Sequence, residues 1–174
     1  SKQRRSAAAS DVYKRQPLRS VDLIQAAEQP EVNPFYSYFS ARLAQALEES
    51  PDFIGFSMNF LSQALCTMAM IGFVKKIHPR QKILLGGSLA TSWIRLSGRT
   101  NLFSGLVDRM VEGAGEEKLL ALLGMPPRRE GPSADYDLLE KNRYFSPGFI
   151  LPYSAAEGCW WRKCSFCPEK AEAN

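Results

Sequence analysis

Residues 53–87 read FIGFSMNFLSQALCTMAMIGFVKKIHPRQKILLGG. The stretch opens on an apolar run, Phe53-Ile54-Gly55-Phe56-Ser57-Met58. Its length and its glycine suit a buried strand of a parallel sheet. Residues 61–77, rich in Leu, Ala, Met and Ile, predict a helix. Lys75-Lys76 give that helix a basic last turn that complements its dipole, and His78-Pro79 stop it. Lys82-Ile83-Leu84-Leu85 then reads as a second strand running straight into Gly86-Gly87. Strand, helix and strand in succession are the unit from which parallel sheets are built.

The pattern continues on both sides. Upstream, residues 34–50 place Phe35, Phe39, Leu43, Ala46 and Leu47 at helical spacing along one face, and Pro51-Asp52 ends the element. Downstream, residues 105–112 supply a third strand around Val107 to Val111. Gly113-Ala114-Gly115-Glu116 follows, then a helix from Glu117 to Leu123 closed by Gly124. The alternation predicts an α/β fold, a Rossmann-like (flavodoxin-like) parallel sheet with helices on both faces. Three strands are fewer than such a sheet usually carries, so further strands are expected upstream and the domain is read as partial. Residues 125–146 contain Pro126, Pro127, Gly131 and Pro132 among charges and read as a linker. Residues 149–154 then look like a new strand leading into a cysteine-rich loop. The expected organisation is therefore a tail over 1–16, a partial α/β domain over 17–124, the linker over 125–146, and a further unit beginning at 147. No internal repeat or low-complexity tract is present.

Composition narrows the function classes. Of 174 residues, 45% are hydrophobic and 23% charged, which is globular rather than disordered usage. No apolar run reaches the roughly 18–20 residues that span a bilayer, and the charged start lacks a signal-peptide core. A cytoplasmic protein without a membrane partner is expected. The net charge of +4 invites a nucleic-acid reading, but it lies wholly in residues 1–16, where Lys2, Arg4, Arg5, Lys14 and Arg15 face Asp11 alone. The rest of the chain balances 17 basic against 17 acidic residues. The folded part therefore offers no overall positive field for a polyanion, and nucleic acid is not an expected partner.

Both ends look unnatural. Residues 11–16, Asp-Val-Tyr-Lys-Arg-Gln, resemble a translated transposon-end sequencing adapter, and Ser6-Ala7-Ala8-Ala9-Ser10 looks like more of the same; the alternative is a disordered basic tail. Such segments are set aside from fold reasoning. At the other end the chain stops shortly after a dense metal-ligand motif. It is expected to be an internal fragment of a longer protein.

That motif reads Gly158-Cys159-Trp160-Trp161-Arg162-Lys163-Cys164-Ser165-Phe166-Cys167-Pro168. Three thiolates on one short loop can converge on one inorganic centre, and iron–sulfur clusters are held by cysteines at such spacings. Three ligands on a four-iron cube leave one iron open. The residue-level alternative is zinc, because Cys164-x-x-Cys167 is a common zinc half-site that a fourth Cys or His would complete.

The segment from Tyr144 to Glu169 resembles the entry to the core of cobalamin-domain-type radical S-adenosylmethionine enzymes. In that superfamily three cysteines follow the first strand of a βα barrel, and an aromatic residue, here Phe166, precedes the third. The usual first spacing has three residues between cysteines, whereas this chain has four, Trp160 to Lys163. The resemblance implies that Cys159, Cys164 and Cys167 each bind one iron of a [4Fe-4S] cluster. S-adenosylmethionine would take the open iron by its amino and carboxylate groups, with Phe166 near the adenine. Reductive cleavage would release a 5′-deoxyadenosyl radical. An electron donor such as flavodoxin or ferredoxin, and a small-molecule or peptide substrate, are implied as partners.

The upstream unit resembles the cobalamin-binding domain that precedes this core. Ser57-Met58-Asn59 stands in the place of a Ser-x-Leu element, with Asn for Leu, and Gly86-Gly87 follows a spacer at residues 60–85. Gly113-Ala114-Gly115-Glu116 resembles a Gly-Glu-Gly-Glu turn. The resemblance implies a cofactor-binding role for Ser57, Gly86, Gly87, Gly113, Gly115 and Glu116. Their place suits it: open α/β sheets bind ligands at strand C-terminal ends, and glycines there let the backbone approach a large ring. Taken singly, Gly-Gly after a strand is often only a tight turn, and Gly113 and Gly115 can simply open a helix. The Asp-x-His-x-x-Gly element that ligates cobalt would fall near residues 10–15, inside the adapter-like stretch. The resemblance therefore allows cobalamin without requiring it.

The competing function is a non-enzymatic α/β module with a structural zinc loop. In the enzyme reading the parent protein is catalytic, while this chain alone should assemble a cluster weakly and turn over nothing. Other conspicuous residues take plainer roles. Met58, Met68 and Met70 read as core fillers, Cys66 as a small buried apolar residue, and His78 as a helix C-terminal residue. Trp160 and Trp161 either shield a cluster or pack, and Arg162 and Lys163 read as a solvated loop.

Overall fold

A computed structural model describes residues 15–127 together with Gly148, Ile150, Trp161 and Lys163. The chain divides into two compact units, Ser1–Lys118 and Leu119–Asn174. The elements in order are α1 (Ser20–Glu28), α2 (Tyr36–Glu48), β1 (Phe53–Ser57), α3 (Ala64–Ile77), β2 (Lys82–Gly86), α4 (Ser88–Ser97), β3 (Arg109–Met110) and α5 (Glu116–Leu122). Short 3-10 turns at Pro30–Val32 and Leu61–Gln63 precede α2 and α3.

The first unit is α/β. Its three strands are parallel and lie in the order β1-β2-β3, with Phe53 opposite Lys82, Ser57 opposite Gly86, and Leu84 and Leu85 opposite Arg109 and Met110. Parallel neighbours need a long crossover, and α3 and α4 supply the two. A small open parallel sheet of this kind is compatible with a Rossmann-like arrangement.

Alternation along the strands separates two sheet faces. Ile54, Phe56, Ile83, Leu85 and Met110 share one face, which joins the main core with Met68, Ile71 and Val74 of α3 and Ala90 and Ile94 of α4. On the other face Leu84 is buried, but Gly55, Ser57, Lys82 and Arg109 are exposed. The sequence predicts helices on both faces, whereas the described residues cover mainly one. Lys82 Nζ sits 5.1 Å from the centroid of the Phe53 ring on this opposite face.

Helix α3 is apolar nearly all round because neighbours enclose it. Its Met68–Ile71–Val74 stripe meets the sheet core, while Ala69 and Phe73 pack with Phe39 of α2. Tyr36, Phe39 and Phe73 meet edge-to-face, with centroids 5.6–6.2 Å apart, the arrangement ring quadrupoles prefer. Gly72 faces α1 at backbone distance: a Cβ built there would stand 1.9 Å from the Ala27 carbonyl oxygen. Leu23, Ala26 and Ala27 of α1 are buried in this contact region. Of the residues expected on the α2 face, Phe39 and Leu47 are buried and Leu43 is half-buried, but Ala46 is exposed, as is Phe35, which lies before the helix.

The helix that the alternation requires between the second and third strands is α4, closed by Gly98 in the left-handed region (φ 66°). The third strand is shorter than expected. Val107 is buried but closes a turn, with its N–H donating to the Phe103 carbonyl (2.9 Å), so regular pairing spans Arg109 and Met110. Asp108 ties this entry down. Its Oδ2 accepts from Ile83 N (2.8 Å) and from Lys75 Nζ (2.9 Å), and Lys75 Nζ also donates to the Gln81 carbonyl (2.8 Å). Burial pushes the Asp108 carboxyl up, but the hydrogen bonds and positive charge of Lys75 and the Ile83 amide outweigh it and hold the group below its ordinary value.

Helix α5 ends at Leu122; Gly124 beyond it has φ 68°, and Met125 N donates back to the Leu120 carbonyl (2.8 Å). Trp161 is exposed, with Lys163 Nζ 5.5 Å from its ring centroid, within cation–π range. The expected strand at 149–154 and the start of a barrel lie outside the described residues, Ile150 apart. No helix among the described residues is long and apolar enough to cross a membrane.

Candidate functional site

The C-terminal ends of the strands gather most of the predicted residues. Ser57 closes β1 and Gly86 closes β2, and the two stand in register. The chain after β3 stays paired for one more residue, since Val111 N donates to the Leu85 carbonyl (2.8 Å). Gly113 N then donates to Thr91 Oγ1 (2.9 Å), and Thr91 N donates to the Gly87 carbonyl (2.9 Å). Thr91 of α4 thus links the loops after β2 and β3. It lies in the helix the sequence leaves undelimited. Gly115 has open space where a Cβ would stand, and Glu116 is an exposed residue opening α5.

The loops after β1 and β2 are latched to each other. Met58 N donates to the Gly86 carbonyl (2.8 Å), and Leu89 N donates back to the Met58 carbonyl (3.1 Å). Asn59 Oδ1 accepts from Ser88 N (3.0 Å), and the Asn59 carbonyl accepts from Ser88 Oγ (3.0 Å). Asn59 N and Phe60 N both donate to Gln63 Oε1, at 2.9 and 3.1 Å. A helix N-terminus is a ready anion site when its amides are free. Here the first two amides of α4 are taken by the chain itself. Asn59, standing where the resembled element has Leu, supplies one of the acceptors.

This latch changes the meaning of Gly86-Gly87. Gly87 has φ 99°, and a Cβ built there would lie 2.5 Å from the Met58 carbonyl oxygen and 2.7 Å from its nitrogen. Its missing side chain therefore makes room for the chain's own β1 loop. Gly86 is different: a Cβ there would make ordinary contact with Val111, 3.7 Å away. Ser57 is exposed beside it, with Asn59 Nδ2 3.4 Å from its hydroxyl.

The other donors lie apart from this edge. His78 caps the C-terminus of α3 and precedes β2, at the opposite end of the strands from Ser57 and Gly86. Together with Pro51, Asp52, Ile77, Pro79, Arg80, Gln81 and Lys82 it lines a shallow surface groove. Cys66 is half-buried on α3 against the Phe39–Phe73 cluster, and burial pushes its thiol up, away from the thiolate form. Arg95 Nε donates to Glu112 Oε1 (2.8 Å), tethering the loop after β3 to α4. The Lys118 ammonium donates to the Glu112 carbonyl. Met58 and Met68 are fully buried core fillers, and Met70 is half-buried beside Phe39.

Among the described residues no three His, Cys, Asp or Glu side chains come together as a metal site. Cys159, Cys164, Cys167 and Phe166 lie outside the described residues. No family model, curated protein or solved structure matches the chain.

Proposed function

We propose that the chain is part of a radical S-adenosylmethionine enzyme with an upstream cobalamin-domain-type α/β unit. The observation that carries the reading is the triad Cys159, Cys164 and Cys167 with Phe166 before its third member. Thiolates are soft ligands that suit iron–sulfur clusters and zinc alike. The loop offers three. The remaining cysteine of the sequence, Cys66, is packed on α3 against the Phe39–Phe73 cluster. Three thiolates this close suit a cluster that keeps one iron open, whereas a closed zinc site needs a fourth ligand.

Under this reading Cys159, Cys164 and Cys167 would hold the cluster, and Phe166 would help to bind S-adenosylmethionine. When bound, the cluster supplies the electron for reductive cleavage of S-adenosylmethionine. The protein's own part is binding, orientation and the exclusion of side reactions. A flavodoxin- or ferredoxin-like donor and a cytoplasmic setting belong to the same proposal. For cobalamin, the exposed Ser57 hydroxyl and the unobstructed Gly86 are suitable neighbours, but Gly87 is committed to Met58. His78 stands at the far end of the strands, so no cobalt-ligating role is assigned to it.

Anaerobic reconstitution with iron and sulfide tests the proposal, read by visible absorption and by EPR after dithionite reduction. A weak, labile cluster signal that vanishes when Cys159, Cys164 or Cys167 is changed to Ala is the expected result. Stoichiometric zinc uptake by the same three residues, with no cluster signal under any reconstitution condition, would refute it.

A further inference from the structure

We draw no further inference here: the strongest candidate, the exposed part of the sheet face around Gly55, Lys82 and Arg109, is unpartnered among the described residues and nothing in the structure shows what covers it.

Discussion

Replacing Gly72 by Ala opposes two effects of known sign at one position. Within a helix, Ala is favoured over Gly by about 0.5–1 kcal/mol, because glycine loses more backbone freedom on folding. An isolated α3 would therefore gain from the change. In the folded chain the added methyl would stand 1.9 Å from the Ala27 carbonyl oxygen, 2.5 Å from its carbonyl carbon and 2.6 Å from its Cα. Comfortable non-bonded separations are about 3.5–4.0 Å, so α1 and α3 must part by roughly 1.5 Å. No rotamer change can relieve a clash with backbone. Overpacking of this kind costs about 1–3 kcal/mol, and the rigidity of the obstacle puts Gly72 at the upper end. After subtracting the helix gain, the net loss is about 2 kcal/mol. Parting the helices also exposes Leu23, Ala26 and Ala27, which are now 4%, 3% and 2% accessible. Equilibrium urea unfolding followed by circular dichroism measures the difference. Gly55→Ala serves as the control, since a Cβ there meets nothing within 4 Å. A Gly72→Ala chain as stable as the parent, or more stable by the helix-propensity gain alone, would refute the packing of α1 on α3.

Gly87→Ala should cost about 2–4 kcal/mol, combining a strained positive φ with the Met58 contact, while Gly86→Ala should stay within about 1 kcal/mol; equal urea midpoints for the two variants would contradict the latch. Asp108→Asn removes an ion pair to Lys75 while leaving an acceptor for Ile83 N, and should destabilise by about 1 kcal/mol at neutral pH. Because the folded-state pKa of Asp108 lies below its unfolded value, this stabilisation is fully present above the unfolded value and fades as pH falls through the folded one. Parent and variant unfolding curves should thus converge in acid, and a gap independent of pH would show that charge is not the cause. Cys66 should react slowly with a thiol reagent in the folded chain and fast in urea, measured with Cys159, Cys164 and Cys167 replaced by Ser. Labelling in buffer at the rate of an unfolded cysteine would contradict its burial.

What could be read from the sequence followed the range of the forces involved. β1, α3 and β2 are legible because each carries its own signal: a short apolar run, a long apolar helix with a basic end, and Gly or Pro punctuation between them. α4 carries a weaker one. Its ten residues include four Ser or Thr, which favour caps and turns over helix interiors, and Leu96 is 81% exposed. The helix is held from outside, by Asn59 and Met58 at its start and by the core into which its Ala90 and Ile94 are buried. α1 is similar, since its N-cap Arg19 makes no side-chain cap, and its place depends on Gly72 more than forty residues away. The same contrast governs the strand-end site. That Ser57 and Gly86 end adjacent strands follows from strand order and could be anticipated. That Gly87 is required by the Met58 backbone follows from two loops crossing, which no local pattern announces. The packing that demands a glycine thus falls on Gly87, while a Cβ at Gly86 would make only ordinary contact with Val111. The proposed function accordingly rests on the three-cysteine loop more than on the glycine pair.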